Sequence, residues 1–113
     1  VMFAAGDSGA GGGCTGNSAF LPDYPASSPY VTAVGGVTGG TAGKTPVGES
    51  AWLDGGGGFS NYAPLQDYQK DAVTYYLTNE NDLPDKSKYN ASGRGFPDIA
   101  AQSVDFEIIV NGK

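Results

Sequence analysis

The sequence predicts an α/β fold built on a parallel sheet, and two stretches carry that expectation. The first is the opening run Val1-Met2-Phe3-Ala4-Ala5, which stops at Gly6. A short unbroken run of small and apolar residues reads as a strand buried on both faces, as in a parallel sheet. The second is Tyr68 to Leu77, the one clear helix. Tyr68, Ala72, Tyr75 and Tyr76 fall near i, i+4, i+7 and i+8 and share an apolar face. Asp67 is placed to cap its start.

The elements between them follow in order. Phe20 to Pro29 holds three prolines, which fix φ and block a regular ladder, so it reads as a shaped loop. Tyr30-Val31-Thr32-Ala33-Val34 is rich in β-branched and aromatic residues and reads as a strand that Gly35-Gly36 ends or bends. Thr38 to Ser50 is small, polar and glycine-rich, a surface hairpin or loop. Gly55-Gly56-Gly57-Gly58 has the composition of a linker. Its place between Trp52 and Phe59, two residues that want burial, favours instead a backbone rail for an extended ligand or a tightly packed segment. Asn79 to Lys88 is polar and holds Pro84, a loop. Phe96 to Ala101 and Phe106 to Val110 read as strands, and Asn111-Gly112 as a turn.

Composition bounds the function. The chain has 113 residues, the size of one small domain, and its 19 Gly and 7 Pro demand many turns. A net charge of −6 argues against nucleic acid and against an anionic membrane. No apolar run approaches the roughly 20 residues of a membrane span. With no His and a single Cys, a zinc site of the usual Cys/His type and a Cys–His nucleophile pair are both excluded within these residues. Cys14 is either a small buried apolar residue or pairs with a cysteine in another segment. Entry straight into a buried strand, and an end at a turn, suggest a cut from something longer. A sheet of this size would leave edges and an apolar face uncovered, so companion segments are expected in the folded particle.

The candidate site lies at Gly6-Asp7-Ser8-Gly9. Ligands in open α/β sheets gather just past the carboxyl ends of strands, and Asp7 sits at such a place. The alternative is a plain turn, since Asp, Ser and Gly all favour turns. Ser8 as a trypsin-like nucleophile fails for want of a His base. A nucleophile elbow would need Gly-x-Ser-x-Gly, and Gly6 to Ala10 lacks the last glycine. A phosphate loop would want Gly-Lys-Ser/Thr, whereas this loop has Gly13-Cys14-Thr15. Asp67 and Asp71 stand four apart at the exposed start of the helix, where they favour its positive end. That leaves Asp7 as a lone acid beside glycines. A neutral carboxylic acid can donate a hydrogen bond to a developing oxyanion, which suits chemistry at acidic pH.

The chain resembles the sedolisin family of serine-carboxyl peptidases, in texture closest to fungal tripeptidyl-peptidase-like members. The matching segments are Ala5 to Gly11, Phe20 with Pro22, Tyr24 to Gly36, Gly56 to Tyr62, Tyr68 to Val73, and Tyr89 to Ala101. The resemblance implies a subtilisin-like fold, a mostly parallel sheet with helices on both faces. Subtilisins carry Asn where this chain has Asp7, so Asp7 tips the choice to sedolisins. It implies that Asp7 helps form the oxyanion hole of an acid-acting endopeptidase or tripeptidyl peptidase. The family's Glu-x-x-x-Asp and Ser-Gly-Thr-Ser-x-Ser motifs are absent from these 113 residues. Residues 1–113 are therefore expected to be the middle of a catalytic domain, inactive alone, with the Ser-Glu-Asp triad and the calcium ligands in other segments, joined or as companion chains. Asp23 lies in a loop that borders the pocket for the residue before the scissile bond in some relatives, so it is a candidate substrate-binding residue. Asn90-Ala91-Ser92 matches a glycosylation pattern of some relatives. A secreted, lysosomal or vacuolar location and a peptide or protein substrate go with the family. The alternative is an inactive fragment or homologue that binds peptide or serves structurally.

Overall fold

The structure is a computed structural model that describes residues 1–11, 19–40, 48–105 and 108–112. Cys14 lies outside the described residues. The element order is β1 (Met2–Ala4), β2 (Thr32–Thr38), β3 (Ser50–Ala51), β4 (Gly58–Pro64), a 3₁₀ turn (Asp67–Gln69), α1 (Lys70–Asn79), β5 (Gly93–Phe96) and β6 (Ile99–Gln102). This is a small α/β arrangement of two sheets and one α-helix among the described residues.

β2 is the spine of the larger sheet. β1 runs parallel along one edge, Met2 opposite Thr32 and Ala4 opposite Val34. β6 runs parallel along the other edge, from Val34 opposite Ile99 to Val37 opposite Gln102. β3 pairs antiparallel with the end of β2, Val37 opposite Ala51 and Thr38 opposite Ser50, while residues 41–47 of the expected hairpin or loop lie outside the described residues. The parallel core matches the period and apolar content of the opening run. The burial does not. Met2 is 71 % exposed and Phe3 39 %, and burial begins only at Ala5. In the described residues β1 is an edge strand with open faces, because nothing is packed over it.

Gly35 and Gly36 do not end β2, which runs on to Thr38. They let other backbone come close, a recognised use of glycine inside a strand. A Cβ on Gly35 would lie 2.6 Å from the Pro97 ring, and one on Gly36 2.6 Å from Ser103 Oγ. Phe96 to Ala101 is likewise not one strand. Pro97 cannot donate to a ladder, so the chain leaves β5 at Phe96 and enters β6 at Ile99. Of the expected strand Phe106 to Val110, the first two residues lie outside the described set, and Ile108 to Val110 form no strand.

The second sheet is the antiparallel pair β4–β5, with Gly58 opposite Phe96 and Pro64 opposite Gly93. Its register shifts between Phe59 and Pro64, a bulge that strips two amides of ladder partners. Ser60, 3 % exposed, satisfies them: its Oγ accepts from Tyr62 N at 3.2 Å and Ala63 N at 2.9 Å. Phe59 stacks on Tyr89 with ring centroids 5.5 Å apart.

The helix departs from expectation at its start and on its face. Its first turn is the 3₁₀ segment, α1 begins at Lys70, and no side chain caps it. Asp67 pairs instead with Lys70, Nζ to Oδ1 2.5 Å. That pair holds the Asp67 carboxyl below its usual range and the Lys70 ammonium above its own. No residue of α1 is buried; Tyr75 is 71 % exposed and Tyr76 46 %. The tyrosine stripe is where the spacing put it, but only Val73 and Leu77 of the helix are half-buried.

A polar knot joins the helix start to both sheets. Arg94 is fully buried in β5. Its Nη2 donates to Asp98 Oδ2 and Val31 O, and its Nη1 to Gly95 O. Asp98 Oδ2 also accepts from Ala33 N at 2.7 Å, and Asp98 N returns a bond to Ala33 O. Gln69 Nε2 reaches Gly95 O at 2.6 Å and Asp98 Oδ1 at 3.3 Å. Alongside this knot lies an apolar hollow of about 670 Å³, lined among others by Phe20, Phe59, Val73, Tyr76 and Phe96.

Candidate active site

β1 ends opposite Val34, where β6 begins on the other edge of β2, and Asp7 stands three residues past the end of β1. Ala5 N still donates to Val34 O at 2.8 Å, so the ladder holds to the last residue before Gly6. Gly6 then turns the chain with φ +100°, a region open to glycine and costly for other residues. Asp7 and Ser8 are exposed on the loop that follows. A small cleft of about 160 Å³ lies here, lined by Ala5, Gly6, Asp7, Gly35, Gly36 and Trp52 among others. Among the described residues Asp7 is the only acid on its wall.

The glycine run docks against this loop by its backbone. Gly56 N donates to Gly6 O at 2.5 Å, and Gly57 N to Gly9 O at 3.2 Å. Gly56 is buried, and a Cβ there would lie 2.1 Å from Ala5 O and 2.7 Å from Gly6 C. The run is thus neither a linker nor an open rail at Gly56: it is packed behind the Asp7 loop.

Asp23 comes to the same place from a different part of the chain. A Cβ on Gly6 would lie 2.0 Å from Asp23 Oδ2, so the carboxylate rests against the Gly6 α-carbon. The loop is shaped by Asp23 O accepting from Ser27 N at 3.0 Å and by a cis Tyr24–Pro25 bond. Asp7 and Asp23, sixteen residues apart in sequence, are brought together around Gly6. Asn90 is elsewhere. Its Nδ2 donates to Ser60 O at 3.0 Å and its Oδ1 accepts from Ser92 N at 3.1 Å, beside the β4–β5 pair.

Two features of this region were not found in the sequence. The clamp from Gly56 to Gly6 joins residues fifty apart, and only the run of four glycines hinted at close packing. The Arg94–Asp98 pair was hidden because a charged residue four positions from its partner reads as a solvated pair.

The chemistry of the site is that of an acceptor or donor carboxyl at an accessible strand end, with room for a backbone or carbonyl oxygen beside it. Ser8 has no imidazole to activate it. Among the described residues no three His, Cys, Asp or Glu stand together.

Comparison with known proteins adds the decisive observation. Tripeptidyl-peptidase 1 of Bos taurus is 46 % identical to this chain over 115 aligned residues, which cover 98 % of the chain. Over this segment the chain is a sedolisin-family sequence. Tripeptidyl-peptidase 1 of Homo sapiens is 45 % identical and that of Canis lupus familiaris 43 %, again over 98 % of the chain. The chain spans about a fifth of the length of these curated relatives, 20 % of each. No family model matches the chain. The sedolisin segment belongs to a peptidase family, and no helix among its described residues is long and apolar enough to cross a membrane.

Proposed function

We propose that residues 1–113 are the middle portion of the catalytic domain of an acid-acting serine-carboxyl peptidase, with Asp7 as the acid of its oxyanion hole. The observation that carries this is the placement of Asp7: an exposed carboxyl three residues past the end of the parallel strand β1, on a loop braced by glycine backbone, in a segment 46 % identical to a tripeptidyl peptidase. The three parallel strands are in keeping with a subtilisin-like sheet whose other strands and helices come from other segments.

In this reading a peptide lies across the strand ends and its scissile carbonyl is attacked by a serine outside this chain. Charge then collects on the carbonyl oxygen. The neutral Asp7 carboxyl donates a hydrogen bond to that oxygen, and donors of this kind stabilise the transition state more than the ground state. The donor exists only while the carboxyl is protonated, which ties the activity to acid pH. The Ser-Glu-Asp triad and the calcium ligands lie in other segments, joined or as companion chains. The chain alone, lacking the nucleophile, is inactive.

Asp23, resting on Gly6 beside Asp7, is the substrate-binding acid of this reading and favours basic or polar side chains before the scissile bond. Asn90, half-buried with its Nδ2 donating to Ser60 O, is its glycan-bearing residue. The protein works in a secreted, lysosomal or vacuolar compartment on peptide or protein substrates. The competing reading is an inactive relative that binds peptide or serves structurally. Peptide release at acid pH by the complete polypeptide separates the two. Asp7→Ala should cost about two to three decades in kcat. No turnover by the complete parent protein would leave the binding or structural role.

A further inference from the structure

We propose that Gly56 is a positioning residue for Asp7: its N–H, clamped on the Gly6 carbonyl, sets the orientation of the peptide unit that carries Asp7. The inference rests on the oxyanion reading of Asp7 and goes beyond it by naming the group that aims that acid.

The argument begins with the peptide plane. Gly6 C=O and Asp7 N–H belong to one rigid unit. This peptide is not among the cis bonds of the structure, so its C=O and N–H point in opposite directions. A hydrogen bond that fixes the carbonyl therefore fixes the amide as well. It also fixes where the Asp7 α-carbon, and hence its side chain, starts. Gly6 alone does not do this, because glycine at φ +100° has the widest conformational freedom of any residue. Left unbraced, Gly6-Asp7-Ser8-Gly9 is a turn with several accessible orientations. Bonds from Gly56 N to Gly6 O and from Gly57 N to Gly9 O bracket it at both ends.

The clamp demands glycine at position 56. The Gly56 α-carbon is so near the strand end that a side-chain carbon would overlap Ala5 O at 2.1 Å, Ala5 C at 2.6 Å and Gly6 C at 2.7 Å. All three are backbone atoms, so no rotamer change relieves the overlap. Relief must come from moving the Asp7 loop or the glycine run. The Asp23 carboxylate occupies the space that a Gly6 Cβ would take. Gly6 thus has both Gly56 and Asp23 packed against it, and a push from Gly56 is passed on to Asp7. A displacement near 1 Å is enough to cost about 100-fold in rate when it moves a group that must meet the transition state.

The test is a double-mutant cycle in the complete polypeptide, read as kcat and KM on a peptide substrate at acid pH. Gly56→Ala is expected to lower kcat by about 100-fold with KM little changed. In an Asp7→Ala background the same substitution is expected to cost about twofold or less, because the group it displaces is already gone. An equal cost in both backgrounds, or no cost in either, overturns the role of Gly56 while leaving that of Asp7 standing. No loss from Asp7→Ala alone removes the oxyanion reading, and this inference with it. Should Gly56→Ala fail to fold by circular dichroism, Gly57→Ala takes its place. Its Cβ meets Phe96 O at 3.1 Å, a mild push on the second clamp bond. The same non-additivity with Asp7→Ala, at a smaller drop, supports the inference, and additivity overturns it.

Discussion

Arg94 and Asp98 meet across the turn at Pro97, Nη2 to Oδ2 2.5 Å, with the Arg94 side chain fully buried and that of Asp98 14 % exposed. The pair does more than neutralise itself. Asp98 Oδ2 also accepts from Ala33 N, in the middle of the parallel sheet, while the guanidinium bonds carbonyls of Val31 and Gly95. One salt bridge therefore ties β2, β5 and the entry to β6. Buried pairs of this kind add little against an apolar replacement of both partners, but losing one partner strands a charge. Asp98→Ala is expected to cost about 3–5 kcal/mol, measured by urea unfolding against the parent. A loss below about 1 kcal/mol, the range of surface pairs, would show that the pair is solvated.

Gly6 is constrained twice. Its φ of +100° disfavours a side chain, and the Asp23 carboxylate fills the place a Cβ would take, 2.0 Å away. Gly6→Ala should cost about 1–3 kcal/mol through the backbone alone. It should also lower activity of the complete protein by displacing Asp7. Gly9→Ala is the informative contrast: its φ is +63°, but nothing lies within 4 Å of its Cβ. Thermal unfolding of the two variants should place Gly6→Ala lower.

Tyr68 should report on the knot beneath the helix. Its hydroxyl donates to Asp98 Oδ1 at 3.3 Å. Partial shielding of that hydroxyl from water, and then the Asp98 charge, raise its ionisation above the ordinary 10.0. The folded chain therefore keeps this proton when the unfolded chain has begun to lose it. The contribution is fully present below pH 10 and is lost as pH rises through the raised value. Ultraviolet titration should show one tyrosine ionising late, and Tyr68→Phe should remove that late step. Persistence of the step in Tyr68→Phe would assign it to another ring.

The reach of the sequence differs between elements for physical reasons. Val1 to Ala5, Tyr30 to Val34 and Tyr68 to Leu77 declare their type because local periodicity and composition suffice. The faces they bury do not follow locally. Met2 and Phe3 are apolar yet exposed here, since burial depends on what is packed above them. Gly35 and Gly36 look like breakers, and only their contacts with Pro97 and Ser103 show why they continue the strand. Asp67 has the right residue type to cap, but Lys70 three positions on competes for its carboxylate. At the site, Asp7 was legible as an acid at a strand end. Its neighbourhood, with Asp23 and Gly56 both against Gly6, is a product of chain crossings that no local pattern encodes.

The most direct test of Asp7 as a neutral oxyanion donor is the pH dependence of kcat for Asp7→Asn relative to the parent, in the complete polypeptide. A carboxylic acid donates only while protonated, whereas an amide donates at every pH. The ratio of variant to parent kcat should therefore climb steadily from acid toward neutral pH, whatever the remaining catalytic groups do to both. A ratio that stays flat, with the variant at parent activity throughout, would contradict the assignment of Asp7 to the oxyanion hole.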